Sequence, residues 1–190
     1  KLSPGTDYER IDEAAASVPP GSEGLIFLPY LLGERTPHMD ASARGCFIGL
    51  TLHHSFGHLA RAVMEGVAFA MKDCLDLFRE LGVNPDKIVL SGGGATSRLW
   101  RQVQADVYNR EVLTVNTREE AATGAAILAG AGVGIYASIQ QACAELIRTE
   151  SSTSPNPANA KRYAELHEVY RSVYPLLKDS FHRLSDLTSV

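Results

Sequence analysis

The sequence has no hydrophobic run of the roughly 20 residues that a membrane-spanning helix needs. It also shows no signal-peptide pattern at its start. Cysteine is scarce: Cys46, Cys74 and Cys143 are odd in number and lack metal-ligand spacing. Such cysteines are typical of reduced thiols that fill a core, so we expect a cytoplasmic protein without membrane partners.

Clustered positive charge is missing as well. The 190 residues carry 18 Lys and Arg against 22 Asp and Glu, a net charge of −4. The basic clusters do not exceed the pairs Lys161-Arg162 and Arg98/Arg101. Nucleic acids and anionic membranes attract concentrated basic surfaces, so this composition predicts neither as a partner. The hydrophobic share of 45% and charged share of 21% are ordinary for one globular domain.

A glycine run in the middle of the chain is the strongest local signal. Ser91-Gly92-Gly93-Gly94-Ala95-Thr96 follows the apolar Ile88–Leu90 and precedes a helical pattern. Glycines between a strand and a helix let backbone approach a ligand closely, and N–H groups at the helix start can meet a phosphate. The run is neither a P-loop nor a dinucleotide fingerprint, so an ordinary tight turn is the alternative.

The hydrophobic pattern predicts the elements around this run. Before it, we expect a short helix at 8–17, strands at 25–32 and 46–51, and a long helix at 55–81. Pro29 disrupts or ends the first strand, and Ser55 and Gly82 bound the long helix. The predicted buried stripe of that helix is Leu59, Val63, Val67, Met71, Leu75 and Phe78.

After the glycine run, strands and helices continue to alternate. The predicted elements are a strand at 87–90, a helix at 97–108, a strand at 112–115, and helices at 121–132 and 139–148. Thr117 and Ser138 begin capping-box sequences before the last two helices. The apolar face of the tail helix comprises Tyr163, Leu166, Tyr170, Val173, Leu177, Phe181 and Leu184. Pro175 should kink or interrupt this helix.

Alternating strands and helices indicate an α/β fold built from βαβ units, with parallel central strands flanked by helices. The glycine run would then lie at the carboxyl end of a strand, where open sheets bind ligands. We divide residues 1–190 into an irregular lead-in (1–24), an α/β core (25–148), a linker (151–157) and a helical tail (158–187).

Three ordered motifs resemble one family. Gly45–Leu50, followed by His58–Glu65, resembles the C-terminal signature of the FGGY carbohydrate kinases. Gly92–Gln102 resembles that family's adenosine motif, and Glu120–Ala126 is similar to its following small-residue helix. Within the family, Phe27–His38 is most similar to the xylulokinases.

The resemblance implies an actin-like ATPase (ribonuclease-H-like) fold, here as a partial C-terminal domain. It implies phosphoryl transfer from ATP, with Mg²⁺, to a ketopentose such as D-xylulose, with ATP or ADP bound between two domains. Another sugar or polyol kinase of the family, such as a gluconokinase, ribulokinase or glycerol kinase, is the alternative. The implied nucleotide contacts are Gly92, Gly93, Gly94, Ala95 and Ser97. Ser97 can equally be a helix N-cap, since both roles use its hydroxyl.

The chain departs from the family in one respect. The family's catalytic aspartate and second phosphate loop have no match, because Asp7 and Asp12 lack a glycine-rich context. We therefore expect no catalytic residue and no metal ligand in this chain, a sugar site that lies in an N-terminal domain, and no activity alone. The rival interpretations are a non-catalytic regulatory or assembly module, a homodimer formed through exposed apolar surface, and an ordinary dinucleotide-binding domain. The missing G-x-G-x-x-G spacing argues against the last.

Other residues have a structural and a functional interpretation each. Trp100 could line an adenine pocket, but we favour a core position. Glu65 either reaches a cleft or anchors the long helix. Glu34, Arg35 and His38 lie in a loop, where they either contact a ligand or brace the loop through their own charges. His53, His54 and His58 lack the carboxylate or cysteine that would complete a metal site. Gly124 is a candidate for close helix packing.

Overall fold

A computed structural model describes residues 7–85, 87–117 and 119–188. Its helices are α1 (Tyr8–Ala16), α2 (Phe56–Glu80), α3 (Arg98–Tyr108), α4 (Glu120–Gly132), α5 (Ile139–Leu146) and α6 (Pro157–Thr188). Its strands are β1 (Ile26–Leu28), β2 (Cys46–Ile48), β3 (Ile88–Leu90), β4 (Val112–Val115) and β5 (Thr149–Thr153). Short 3₁₀ turns cover Ser22–Gly24 and Gly93–Thr96. Within the described ranges, no helix is long and apolar enough to cross a membrane.

The strands form two small sheets. β1 and β2 pair antiparallel, and β3, β4 and β5 form a sheet in that order. β3 and β4 are parallel and joined through α3, which confirms the predicted βαβ unit. The predicted linker at 151–157 is wrong in its first part, because 149–153 form β5, antiparallel to β4. Its Ser and Thr side chains look like a loop in sequence, yet a mostly exposed edge strand needs little apolar surface.

Helix α6 completes the main core. It buries Tyr163, Tyr170 and Phe181 in one cluster with residues of β1, α2 and α3. The helix runs without interruption through Pro175, so the predicted interruption is wrong. Proline removes one backbone hydrogen bond, but the turns on both sides are held by buried side chains. Leu184, predicted on the buried face, is exposed.

The buried face of α2 also differs from the prediction. Val63, Met71 and Phe78 are exposed, whereas the charged Arg61, Glu65 and Asp73 are buried. Apolar spacing predicts only which residues gain from burial, and it takes no account of partners for charged side chains. In the structure, Arg61 pairs with Glu65, and Asp73 pairs with His167 of α6. The charged side chains are therefore buried with partners, and part of the apolar stripe is exposed.

Candidate functional site

The glycine run forms an exposed loop between β3 and α3. Gly92 has φ +76° and ψ −177°, a conformation that is essentially limited to glycine. A β-carbon added at Gly92 or Gly93 would meet nothing within 4 Å. The loop is therefore open to an approaching ligand rather than packed against the core.

The loop borders a cleft of about 840 Å³, within the usual size range of small-molecule sites. Its walls come from α1, the start of α2, the loop and α3: Tyr8, Glu9, Ile11, Asp12, Phe56, Ala60, Val63, Met64, Gly93, Gly94, Thr96, Ser97 and Trp100. Glu9 and Asp12 are the only charged residues in this described lining. A wall of this kind suits a flat apolar group better than an anion.

Trp100, the single tryptophan, lines this cleft. It is half-buried and lies outside the core clusters of the described residues, so the predicted core position is wrong. The indole lies beside the glycine loop: a β-carbon at Gly94 would be 3.7 Å from its Nε1, an ordinary van der Waals contact.

The hydroxyl of Ser97 caps α3. Its Oγ accepts a hydrogen bond from the Trp100 backbone N–H at 3.0 Å, as an N-cap should. Ser97 also lines the cleft, and Ala95 is half-buried in the same loop. Of the predicted site residues, Gly93, Gly94 and Ser97 line the cleft, whereas Gly92 and Ala95 belong to the same loop but not to this lining.

Two charged side chains that the sequence reasoning missed bind the loop backbone. Glu120 Oε1 accepts a hydrogen bond from the Gly92 N–H at 3.0 Å, and Arg101 donates to the Ala95 carbonyl at 2.7 Å. Hydrogen bonds from its own backbone N–H and from that of Gly92 lower the pKa of Glu120. The capping box predicted to begin at Thr117 is wrong, because Glu119 is the N-cap of α4. Thr117 Oγ1 instead pairs with Thr123 Oγ1 at 2.6 Å. The sequence signal that could have identified Glu120 is its position as the acidic first residue of the Glu120–Ala126 motif.

Glu65 anchors buried structure and does not reach the cleft. Its carboxylate accepts hydrogen bonds from Gly21 N–H (2.8 Å), Ser22 Oγ (2.8 Å), Arg61 Nε (2.8 Å) and Tyr163 Oη (2.7 Å). Arg61 Nη1 also donates to the Val18 carbonyl at 2.9 Å. The network therefore joins α2 to α6 and to the segment after α1.

The loop after β1 is braced, as one of its two interpretations proposed. Glu34 accepts hydrogen bonds from the backbone N–H groups of Thr36 (2.6 Å) and His38 (2.7 Å). The His38 ring stacks on Tyr174 of α6 with ring centroids 3.8 Å apart. Arg35 is exposed. This loop lies against α6 and does not line the glycine cleft.

Asp40 ties the same loop to α6. Burial acts to raise its pKa, but hydrogen bonds from Tyr174 Oη (2.6 Å), His182 Nε2 (2.9 Å) and the Ser42 N–H (2.9 Å) outweigh it. The net effect lowers the pKa of Asp40 to about 2.

Asp40 should make stability depend on acid pH. Between the ordinary aspartate pKa of about 3.9 and about 2, the unfolded chain binds more protons than the folded one. The contribution of Asp40 is therefore present above about pH 5 and lost as pH falls through 2. We expect Asp40→Asn to destabilise the chain at pH 6, with a difference from wild type that shrinks toward pH 2.5. Urea unfolding at several pH values measures this, with the exposed Asp179→Asn on α6 as control. An equal difference at both pH values would contradict it.

His54 and His58 form hydrogen bonds at or just before the start of α2, whereas His53 is exposed. Ser55 and His58 form the capping box of α2, and His58 Nε2 lies 3.3 Å from Glu23. His54 Nδ1 accepts from the Thr51 N–H at 3.0 Å. Among the described residues, no group of three or more His, Cys, Asp or Glu side chains could hold a metal ion.

Gly124 has no close-packed neighbour among the described residues. A β-carbon at this position of α4 would meet nothing within 4 Å. The predicted close packing is thus wrong among the residues that the structure describes. Small side chains on most of the exposed turns of α4 misled the prediction, because they permit close packing without requiring it.

Comparison with known proteins identifies the family. Residues 3–133 match the description "FGGY family of carbohydrate kinases, C-terminal domain". The chain belongs to the FGGY family of carbohydrate kinases, as the motifs predicted.

Its similar relatives include xylulose kinases. The chain is 37% identical over 178 residues to the xylulose kinase of Bacillus subtilis (strain 168), covering 94% of the chain and 36% of that protein. It is 33% identical over 191 residues to the gluconokinase of the same strain, covering 94% and 35%. The crystal structure of xylulose kinase from Rhodospirillum rubrum matches with a TM-score of 0.83 at 36% identity, covering 95% and 36%.

These matches establish the fold and the extent of the likeness. The fold is the actin-like ATPase fold of the FGGY sugar kinases, which confirms the predicted class. The chain spans about 36% of the length of the relatives that it matches.

Proposed function

We propose that this chain is the nucleotide-binding, C-terminal part of an ATP-dependent kinase that phosphorylates a ketopentose such as D-xylulose. The observation that carries the proposal is the Gly92–Gly94 loop, which opens onto a cleft of suitable size. The similarity to xylulose kinases supports the sugar class. Gly92, Gly93, Gly94, Ala95 and Ser97 are the proposed nucleotide contacts.

The lining of the cleft fits adenosine better than phosphate. The apolar wall around Trp100 suits a base, and the bare glycines let a ribose approach the backbone. The charged residues in the described lining, Glu9 and Asp12, are acidic and would repel a phosphate chain. We therefore propose that the phosphates and Mg²⁺ extend away from this cleft, toward parts of the kinase outside the described residues.

The chain alone should not transfer phosphate. It spans 36% of the matched relatives, and the family's catalytic aspartate has no counterpart in its sequence. We propose that an N-terminal domain supplies the sugar site and that the kinase acts in the cytoplasm. We also propose that 1–190 forms one partial C-terminal domain, in which α6 packs on the α/β core.

Gluconate is the second candidate for the sugar. The gluconokinase of Bacillus subtilis is 33% identical over 191 residues, close to the 37% of the xylulose kinase. The side chains that distinguish the two sugars would lie in the proposed N-terminal domain. Sugar-dependent ATP turnover by a kinase that contains this chain, measured with D-xylulose and gluconate in parallel, separates the candidates.

Calorimetric titration of the 190-residue chain with ADP and Mg²⁺ tests the nucleotide site. We expect weak binding, with a dissociation constant above roughly 1 μM (about −8 kcal/mol), because adenosine contacts are present without phosphate loops. Gly93→Val should abolish ADP binding, because the valine side chain would occupy the cleft space that the nucleotide needs. Gly132→Val, at an equally open glycine at the end of α4, is the control.

Three outcomes would count against the proposal. Equal binding by wild type and Gly93→Val would place any nucleotide elsewhere. Sugar-dependent ATP turnover by the isolated chain would show that essential parts are not missing. If the chain is a non-catalytic module, the longer protein that contains it would show no sugar-dependent ATP turnover either.

A further inference from the structure

The glycine loop is bound at both of its ends by charged side chains from neighbouring helices. At its start, Glu120 Oε1 of α4 accepts from the Gly92 N–H at 3.0 Å. At its end, Arg101 Nη1 of α3 donates to the carbonyls of Ala95 (2.7 Å) and Thr96 (3.2 Å). We propose that Glu120 and Arg101 are positioning residues that hold this loop in its ligand-ready shape. Only the identity of the ligand rests on the proposed function.

The internal hydrogen bonds of the loop leave its first N–H group, that of Gly92, to an external acceptor. Consecutive glycines have the largest backbone freedom, and Gly92 and Gly93 have no side chain or close neighbour to restrict them. A loop that is ordered before its ligand arrives binds more tightly, since less freedom is lost on binding. Within the loop, the Ala95 N–H donates to the Gly92 carbonyl (3.1 Å), the Ser97 N–H to the Gly94 carbonyl (3.1 Å) and Thr96 Oγ1 to the Gly93 carbonyl (2.7 Å). These bonds use loop carbonyls, and among the described residues the Gly92 N–H is held by Glu120.

The positions of Glu120 and Arg101 distinguish positioning of the glycine loop from stabilisation of the whole fold. Glu120 and Gly92 are both exposed, so their hydrogen bond contributes little to the core. Arg101 is half-buried, and its Nε is buried without an acceptor in the part of the chain that the structure describes. Among the described residues, the guanidinium hydrogen bonds of Arg101 therefore all go from Nη1 to the loop carbonyls.

The arrangement also determines which loop amides a ligand can use. The Gly92 N–H is occupied by Glu120, whereas no acceptor for the N–H groups of Gly93 and Gly94 occurs in the described ranges. A ligand that hydrogen-bonds to this backbone would therefore do so at Gly93 and Gly94. The nearby Glu120 carboxylate would also keep an anionic group away from Gly92.

Hydrogen exchange of the loop amides, measured by NMR on the ¹⁵N-labelled 190-residue chain without nucleotide, tests the Glu120 contact. We expect the Gly92 amide to exchange about tenfold more slowly than those of Gly93 and Gly94, the ratio that an ordinary hydrogen bond gives. Glu120→Ala should remove the difference, and Glu120→Gln, which keeps an acceptor oxygen, should largely restore it. Thermal unfolding midpoints should stay unchanged.

Controls and a second readout complete the test. Glu119→Gln is the matched control, because the Glu119 side chain makes no cap hydrogen bond. Trp100 reports on the loop through its fluorescence, which Arg101→Met should shift and the exposed Arg98→Met should not. The proposal is overturned if Gly92 exchanges as fast as Gly93 in wild type, or if both Glu120→Ala and Arg101→Met leave the loop unchanged. These measurements use no nucleotide, so a failure to bind ADP would count against the proposed function only.

Discussion

Replacing Glu65 with glutamine is expected to lower the free energy of unfolding by about 3–5 kcal/mol, the usual effect of breaking a buried ion pair. Glu65 and Arg61 are 2% and 5% exposed. The carboxylate accepts four hydrogen bonds, three of them at Oε1. A glutamine oxygen at that position can keep those three bonds, with the amide nitrogen beside Ser22 Oγ, but the negative charge that offsets Arg61 is lost. The Arg61 charge would then remain buried without its partner.

The same helix offers a matched control. Lys72 and Asp76 form another pair on α2 with the same spacing, but their side chains are 18% and 27% exposed. Water can hydrate Lys72 when its ion pair with Asp76 is removed. Asp76→Asn should therefore change the free energy of unfolding by less than about 1 kcal/mol. Urea unfolding followed by circular dichroism measures both variants. If Glu65→Gln were as mild as Asp76→Asn, the buried network would not be the anchor described above.

The second large effect is expected at Gly66. A β-carbon there would lie 2.1 Å from the carbonyl oxygen of Phe27, so α2 and β1 would have to separate. Alanine is favoured over glycine within a helix by about 1 kcal/mol, but this gain is smaller than the strain of forcing backbone apart. We expect Gly66→Ala to reduce the free energy of unfolding by about 3 kcal/mol, at the upper end for overpacked cores.

Gly124→Ala is the counterpart with the opposite sign. Gly124 also lies within a helix, but its β-carbon would enter open space. The substitution should therefore stabilise the chain by about 0.5–1 kcal/mol through helix propensity alone. Thermal unfolding of the two variants side by side checks both signs. A stabilising Gly66→Ala would show that β1 and α2 are not in close contact.

The sequence predicted most of the fold because its elements carry local signals. The α2 boundaries follow from Ser55 and Gly82, and the βαβ unit follows from apolar runs on either side of an amphipathic helix. Strand β5 has no such signal. It is a polar edge strand that exists because β4 offers it a partner, and that partner lies more than 30 residues away.

Within the candidate site, the glycine loop was visible from the sequence but its surroundings were not. Trp100 looks like a core residue because its spacing is helical, but the folded arrangement of α1, α2 and the glycine loop makes it part of a cleft wall. The hydrogen bond from Gly92 to Glu120 joins residues 28 positions apart. Such contacts depend on how helices are placed in space, and periodicity contains no information about that placement.

Helix α6 has a consequence for the order in which the protein can fold during synthesis. It buries Tyr163 and Tyr170 against elements that lie up to about 140 positions earlier, such as Tyr30 on the way out of β1. At a translation rate of roughly 5–20 residues per second, the ribosome needs about 3–11 seconds to proceed from the end of α3 to Tyr163. During that interval the apolar core surface that α6 later covers is exposed on the nascent chain. A chaperone could bind this surface until α6 is made.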